Sequence, residues 1–309
     1  MILYIAGNGV LCAFKTDILY GGILSQMKKA LLGVSAALSV CGAYLLSKDN
    51  SLTVYEYEIA SPKVPEEFEG FRIVQLSDLH CKRYGENDEE LVRVCAGLSP
   101  DIIVFTGDLY SRSCDMADIL SRLPLMRGLR ELAPVYYIWG NHEVDVPDKA
   151  KHMNERLSDI GITILRNERA RFFKGASHID IFGLELPSAF YRSPEGSYRS
   201  LPEVTTEWVQ KRLGAPDKGS FSVLLAHTPL PFASYSEWGA DLTFSGHIHG
   251  GMVRIGNIGL LSPERKFLPR YTKGIYRRGD SQMIVSTGLG KPRVNNPEMI
   301  ALCVLKTVR

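Results

Sequence analysis

No CxxC pair occurs in the sequence, and its six cysteines (Cys12, Cys41, Cys81, Cys95, Cys114 and Cys303) follow no regular spacing. This argues against a disulfide-stapled secreted scaffold and leaves a single bridge open. Net charge is nearly missing as well. Thirty-six basic and thirty-four acidic side chains balance to a formal +2, which gives no electrostatic footprint for nucleic acid, so no such partner is expected. Internal repeats and low-complexity tracts are also absent. What remains is ordinary globular usage, 45% hydrophobic and 23% charged over 309 residues, enough for one large domain or two ordinary ones.

The N-terminal region lacks a twin arginine, and no small-x-small cleavage site stands out in it. Residues 1–26 hold two apolar stretches broken by Lys15 and Asp17 and read as an uncertain extension, with Met27 a candidate for the true start. Met27-Lys28-Lys29 then opens a run, 30–46, of seventeen residues without a charge. A basic start followed by an apolar body is how an export signal or signal anchor begins, and seventeen residues is the short end of a bilayer-spanning helix. Residues 27–50 are therefore read as an uncleaved signal anchor or transmembrane segment in preference to a buried helix, because the run has no polar face. Val40 before Cys41 argues against lipidation. Lys28 and Lys29 would keep that end in the cytoplasm and place the domain outside, whereas the unframed cysteines argue the other way. The expectation is a single-pass anchor in the cell membrane with the domain outside the cytoplasm.

Histidine is scarce, with seven in the chain, and five of them stand in short blocks of one design. The blocks are RIVQLSDLH (72–80), DIIVFTGD (101–108), VYYIWGNHE (135–143), SVLLAHTP (222–229) and DLTFSGHIHGG (241–251). In each, a run apolar on both faces, as in strands buried inside a layered domain, ends in a polar cluster. Ligand sites gather beyond such strand ends. If the five ends converge, they deliver Asp78, His80, Asp108, Asn141, His227, His247 and His249 to one place. Two carboxylates, one amide oxygen and four imidazoles are more than one metal needs. They fit two borderline divalent ions such as Mn, Fe or Zn, with one carboxylate bridging. A strand end points alternate residues the same way, which suits His247 and His249, and Gly246, Gly250 and Gly251 let the backbone come close. A lone HxH is more often two loop histidines without a role; the other four blocks change the odds. Cys81, beside His80, is expected to point away.

Residues 53–59 alternate in strand fashion and 61–70 read as a connector. From Phe71 onward strands alternate with helical stretches at 88–98, 114–130, 147–160 and 202–213, the pattern of an α/β layered domain. A hairpin is expected over 170–184 and more strands with hardly any helix over 250–306. Mixed sheets are therefore expected in a catalytic domain spanning 51–309.

The ordered blocks Asp78-Leu79-His80, Gly107-Asp108, Gly140-Asn141-His142-Glu143, His227 and Gly246-His247-Ile248-His249 resemble the calcineurin-like metallophosphoesterase superfamily from Phe71 to the C-terminus. LSDLH, HGGMV and GLGKPRVNNPE (288–298) are similar to a bacterial, often membrane-associated branch that includes phosphodiesterases acting on UDP-2,3-diacylglucosamine. Ile248 stands where that branch usually has Thr, and Glu143 where it usually has Asp. The resemblance implies a four-layer α/β/β/α sandwich with two mixed sheets. It also implies one metal on Asp78, His80 and His249, a second on Asn141, His227 and His247, and Asp108 bridging. His142 is not needed to complete either shell, which makes it the candidate for stabilising the transition state or protonating the leaving oxygen, with Glu143 fixing its orientation. Arg293 is the candidate for the substrate phosphate by resemblance, and Arg192 and Arg199, with Tyr191 and Tyr198, are candidates for a lid.

The activity so implied is a dinuclear metal-dependent phosphohydrolase, a phosphodiesterase or pyrophosphatase acting at the membrane on lipid or envelope-precursor substrates. The alternatives are a phosphoprotein phosphatase or nuclease of the same fold, or a non-catalytic module that keeps the metal site as structure. The last should have lost ligands or the acid histidine, and all eight positions are present.

Overall fold

The computed structural model of the chain describes residues 51–309 except 81, 194–196, 199, 291–292 and 309, together with seven scattered helical positions between 26 and 42. The expected extension (1–26) and anchor (27–50) otherwise lie outside the described residues. Among the described residues no helix is long and apolar enough to cross a membrane. The chain divides into two units, Met1–Lys48 and Asp49–Arg309, and the second carries the elements below.

In chain order its strands are β1 (Leu52–Ser61), β2 (Arg72–Leu76), β3 (Ile102–Phe105), β4 (Val135–Tyr137), β5 (Thr163–Ile164), β6 (Glu168–Lys174) and β7 (Ser177–Leu184), followed by β8 (Phe221–Ala226), β9 (Leu242–Ser245), β10 (Arg254–Ile255), β11 (Ile258–Gly259), β12 (Gly274–Arg278), β13 (Ser281–Val285) and β14 (Glu298–Thr307). The helices are α1 (Glu89–Gly97), α2 (Met116–Leu120), α3 (Leu123–Leu132), α4 (Asn141–Val144), α5 (Pro147–Asp159), α6 (Thr206–Leu213) and α7 (Phe232–Trp238). One sheet has the order β1-β14-β2-β3-β4-β5, antiparallel only between β14 and β2. The other, β12-β13-β9-β8-β7-β6, is parallel from β13 to β7 and antiparallel at both edges. Both sheets are mixed, as expected.

Alternation along the strands builds the layers. On β3, Ile102 and Val104 pack with Phe221, Val223 and Leu225 of β8, so the two sheets share a core. Ile103 and Phe105, on the other face of β3, pack under Leu91 of α1, Leu129 of α3 and Met153 of α5. Leu224 and Ala226, on the other face of β8, pack under Val209 of α6 and Tyr235 of α7. A strand apolar on both faces is thus one wedged between a helix layer and a second sheet, and the result is an α/β/β/α sandwich.

Two local differences from the sequence reading have simple causes. The stretch 114–130 is two helices: Asp115 caps α2 by accepting from the Asp118 N–H, and Pro124 sits in the first turn of α3, where a missing N–H costs nothing. Helix α7 buries Phe232, Tyr235 and Trp238 at three-residue spacing, a periodic signal carried by too few residues to stand out. Cys95 and Cys303 are free and buried, while Cys114 is disulfide-bonded.

The two sheets are tied together at the end where the polar clusters lie. Gln75, fully buried on β2, donates through Nε2 to the Ser245 carbonyl at the end of β9 (2.9 Å) and to Thr106 Oγ1 after β3 (3.0 Å). Gln75→Leu keeps the volume and removes both bonds, so the urea midpoint is expected to fall by the equivalent of about 1–3 kcal/mol. An unchanged midpoint would show that the tie contributes nothing.

Candidate metal centre

Each expected ligand sits just beyond a strand: Asp78 and His80 after β2, Asp108 after β3, Asn141 after β4, His227 after β8, and His247 and His249 after β9. Five of them adopt the left-handed backbone region, with φ of 54° at Asp78, 53° at His80, 54° at Asp108, 68° at His247 and 50° at His249. For a residue with a Cβ that conformation costs roughly 1–2 kcal/mol, and strain of this kind persists where the surroundings hold it in place. Backbone bonds do so here: the Asp78 N–H donates to Gly107 O and the His80 N–H to Asp108 O, both at 3.0 Å, and the Gly246 N–H donates to His227 O at 2.9 Å. Ile248 returns to the right-handed region (φ −81°). A left-right-left turn, not a continued strand, therefore brings His247 and His249 to the site. Of the three glycines in this stretch, Gly246 is the one packed against ligands, since a Cβ there would overlap Ser77 Oγ and Asp78 Oδ2. Gly250 and Gly251 abut Asn296 and Gly259 instead.

The side chains gather at one place. Donor atoms of Asp78, His80 and His249 lie within 4.8 Å of one another, as do those of Asp78, Asp108 and His227, and those of His80, Asp108 and His142. His80 Nε2 is 3.4 Å from His249 Nε2. His227 Nε2 is 3.1 Å from Asn141 Oδ1 and 3.5 Å from Asp108 Oδ2. Asp78, Asp108 and all the imidazoles of the cluster are buried.

Bonds behind the rings fix which nitrogen faces the site. His227 Nδ1 donates to the Thr106 carbonyl at 2.7 Å, which leaves Nε2 with its lone pair toward Asn141 and Asp108. His247 Nε2 bonds Glu264 Oε1 at 2.7 Å, so Nδ1 is the nitrogen left for a ligand, and His80 Nδ1 lies 3.3 Å from Ser111 Oγ. His142 Nδ1 accepts the Arg112 backbone N–H at 2.9 Å. The neutral ring then carries its proton on Nε2, the nitrogen 3.8 Å from Asp108 Oδ2. Carboxylate and carbonyl partners of this kind orient metal-ligating imidazoles and raise their basicity.

The electrostatics show what the cluster is short of. Burial opposes the charged form of Asp108, yet the His227, His142 and His80 rings hold its carboxyl well below the usual range. Burial also works against a charged His227, but Asp108, by charge and hydrogen bond, and then Asp78 raise it to about 10. The carboxylates thus call for positive charge beside them. Divalent cations would supply it, and oxygen and imidazole donors of this number and type fit them.

Two positions differ from expectation. Glu143 does not hold the His142 ring. Its carboxylate accepts from the N–H groups of Asp108, Leu109 and Gly140, each at 2.9 Å, and so clamps two ligand-bearing loops together. Burial and the Asp108 charge push it up to about 7; a cation beside Asp108 would weaken the second cause. Arg293 is not among the described residues that line the cavity over the site; it donates to the carbonyls of Thr287 and Gly288 (3.1 Å each), bracing the turn behind Asp78. The arginines that do line that cavity, about 480 Å³, are Arg112 and Arg192, both paired with Asp145. Tyr191 and Tyr198 line it too, and Arg199 lies outside the described residues. Sequence reasoning missed Arg112, Asp145 and Glu264. Arg112, four residues after Asp108, was open to notice, whereas nothing in the sequence connects Glu264 to His247.

Manganese in excess is expected to raise Tm over the chelator-treated chain by roughly 10 °C, since a thousandfold excess over Kd stabilises by about 4 kcal/mol and each kcal/mol moves a domain of this size by roughly 2–4 °C. Asp108→Asn should shrink the rise. A Tm indifferent to metal would refute the metal assignment.

The calcineurin-like phosphoesterase family matches residues 71–251, a span that contains all seven expected ligands and His142. The metallophosphoesterase YkuE of Bacillus subtilis strain 168 is 28% identical over 278 residues, covering 87% of this chain and 91% of that protein. Phosphodiesterase YaeI of Escherichia coli K12 is 26% identical over 233 residues, 71% of this chain and 75% of its own. A transmembrane protein with metallophosphoesterase domain from Danio rerio is 28% identical over 244 residues, 75% of this chain and 52% of its own. The chain belongs to the calcineurin-like phosphoesterase family and is a phosphoester hydrolase.

Proposed function

We propose that the chain hydrolyses a phosphodiester or pyrophosphate at a two-cation centre, on a substrate that resides in or at a membrane. The observation that supports this most is the convergence of Asp78, His80, Asp108, Asn141, His227, His247 and His249, with His142 beside them. In this reading Asp78, His80 and His249 would hold one cation, Asn141, His227 and His247 the other, and Asp108 would serve both. Bound there, two divalent cations would supply a water of lowered pKa and neutralise phosphoryl oxygens.

The chain's own side chains do the rest. His142 keeps a proton on Nε2 because the Arg112 N–H occupies Nδ1, and it delivers that proton to the leaving oxygen. Glu143 keeps the Asp108 and Asn141 loops in register. The Arg112 and Arg192 guanidiniums, held at the cavity by Asp145, bring positive charge to the phosphate. Tyr191 and Tyr198 reduce the access of bulk water.

The choice of a diester leans on the relative named a phosphodiesterase. The membrane leans on the charge-free run 30–46 and on the relative named a transmembrane protein. Disulfide-bonded Cys114 supports placement of the domain in an oxidising compartment. Salt-washed membranes and protease accessibility in intact cells test attachment and side.

A panel of phosphomonoesters, phosphodiesters and pyrophosphates with added manganese is expected to show turnover highest on a diester or pyrophosphate. Activity confined to monoesters would overturn the substrate class. His142→Ala should keep the metals and lose roughly 10²- to 10⁴-fold in kcat, with a smaller loss on p-nitrophenyl esters than on alkyl esters. Equal losses on both would leave His142 a charge-stabilising role only.

A further inference from the structure

Large apolar side chains standing in water are few among the described residues of Asp49–Arg309. Five of them fall within fourteen consecutive residues: Ile255 (48% exposed), Ile258 (57%), Leu261 (39%), Phe267 (74%) and Leu268 (53%). They belong to residues 252–273, which leave the sandwich after the His249 turn and return at β12. The segment carries two hairpin tips. Ile255 and Ile258 are paired across β10 and β11 on either side of a Gly256-Asn257 turn, and Leu261 and Phe267 bridge antiparallel at the neck of the next turn. Cross-strand partners project to the same side of a hairpin, so each tip presents an apolar pair.

Charge in this segment has one sign at the surface. Arg265, Lys266 and Arg270 are exposed, and the acid among them, Glu264, is 5% exposed and bonded to His247. A second copy of the chain docked on this face would bring three like charges against three, which repulsion opposes. The apolar part of a single soluble ligand calls for a concave pocket, whereas these side chains stand on hairpin tips. Protruding apolar tips flanked by cations match a surface that takes apolar groups a few ångströms beneath a layer of anions.

We propose that residues 252–273 form a docking surface for the face of an anionic lipid bilayer. Pro263 and Glu264, within the same segment, line the metal-centre cavity, so docking sets the mouth of that cavity at the headgroup layer. This consequence for catalysis rests on the phosphoesterase reading of the site; the docking itself does not, and it requires nothing of residues 30–46.

The test is a local probe in the full chain. Trp139 and Trp238 are buried, at 2% and 4% exposure, and Trp208 is half-buried in α6, so the emission of Phe267→Trp measured against the parent reads position 267. Vesicles of equal parts phosphatidylglycerol and phosphatidylcholine are expected to shift that emission to shorter wavelength, and brominated phosphatidylglycerol to quench it. Adding Arg265→Glu and Lys266→Glu should raise the lipid needed for half the shift at least about tenfold, each cation near an anionic surface being worth about 1 kcal/mol. Emission unmoved by these vesicles overturns the proposal even when the chain sediments with them through another segment. So does an equal shift on pure phosphatidylcholine, or a shift that follows protein concentration without lipid. Hydrolysis of a soluble aryl phosphodiester by Phe267→Trp, expected at the parent rate, reports separately on the metal centre.

Discussion

Two carboxylates buried among five imidazoles form the constraint on which the rest of this structure depends. A buried charge is tolerable only with a partner, and Asp78 and Asp108, at 0% and 1% exposure, are deep in the fold. Asp108 held low and His227 held high are two faces of one pairing. Several unusual local features surround that pairing. Five ligands are left-handed, glycines stand where a Cβ would strike a carboxylate, and carbonyl or carboxylate partners stand behind His227 and His247.

The architecture follows from where those ligands come from. Asp78, His80, Asp108 and Asn141 follow strands of one sheet, and His227, His247 and His249 follow strands of the other. The centre is complete only while the two sheets keep their relative position. The shared apolar core does this in bulk, and Gln75 does it next to the site. Glu143 then fixes the two loops of the first sheet against each other through three backbone donors.

How much of this was legible in the sequence depended on whether a feature lives in side-chain type or in backbone contacts. The strands were legible because β2, β3, β8 and β9 are apolar on both faces, which a wedged strand requires. The gathering of these side chains was legible because Asp, His and Asn at the ends of five such runs are chemically unusual together. Glu143 was misread because its partners are backbone N–H groups, which every residue possesses and no motif marks. Arg293 was misread because residue type suggests a phosphate, whereas the fold turns its guanidinium back onto carbonyls. Arg112 and Arg192 meet only through Asp145, and no spacing announces a pair eighty residues apart.

The bond from Glu264 to His247 places one determinant of the centre outside the sandwich. Loops of this sort ordinarily vary in length among relatives without penalty, since insertions and deletions there leave the layers untouched. This loop is different. A chain shortened across residues 252–273 would retain every ligand by name, yet the distal nitrogen of His247 would meet water in place of a carboxylate, and the bond that fixes the ring's orientation would be gone. A relative that keeps G-H-x-H but lacks an acid in the following loop would therefore present the first of the two rings without the partner that orients it here.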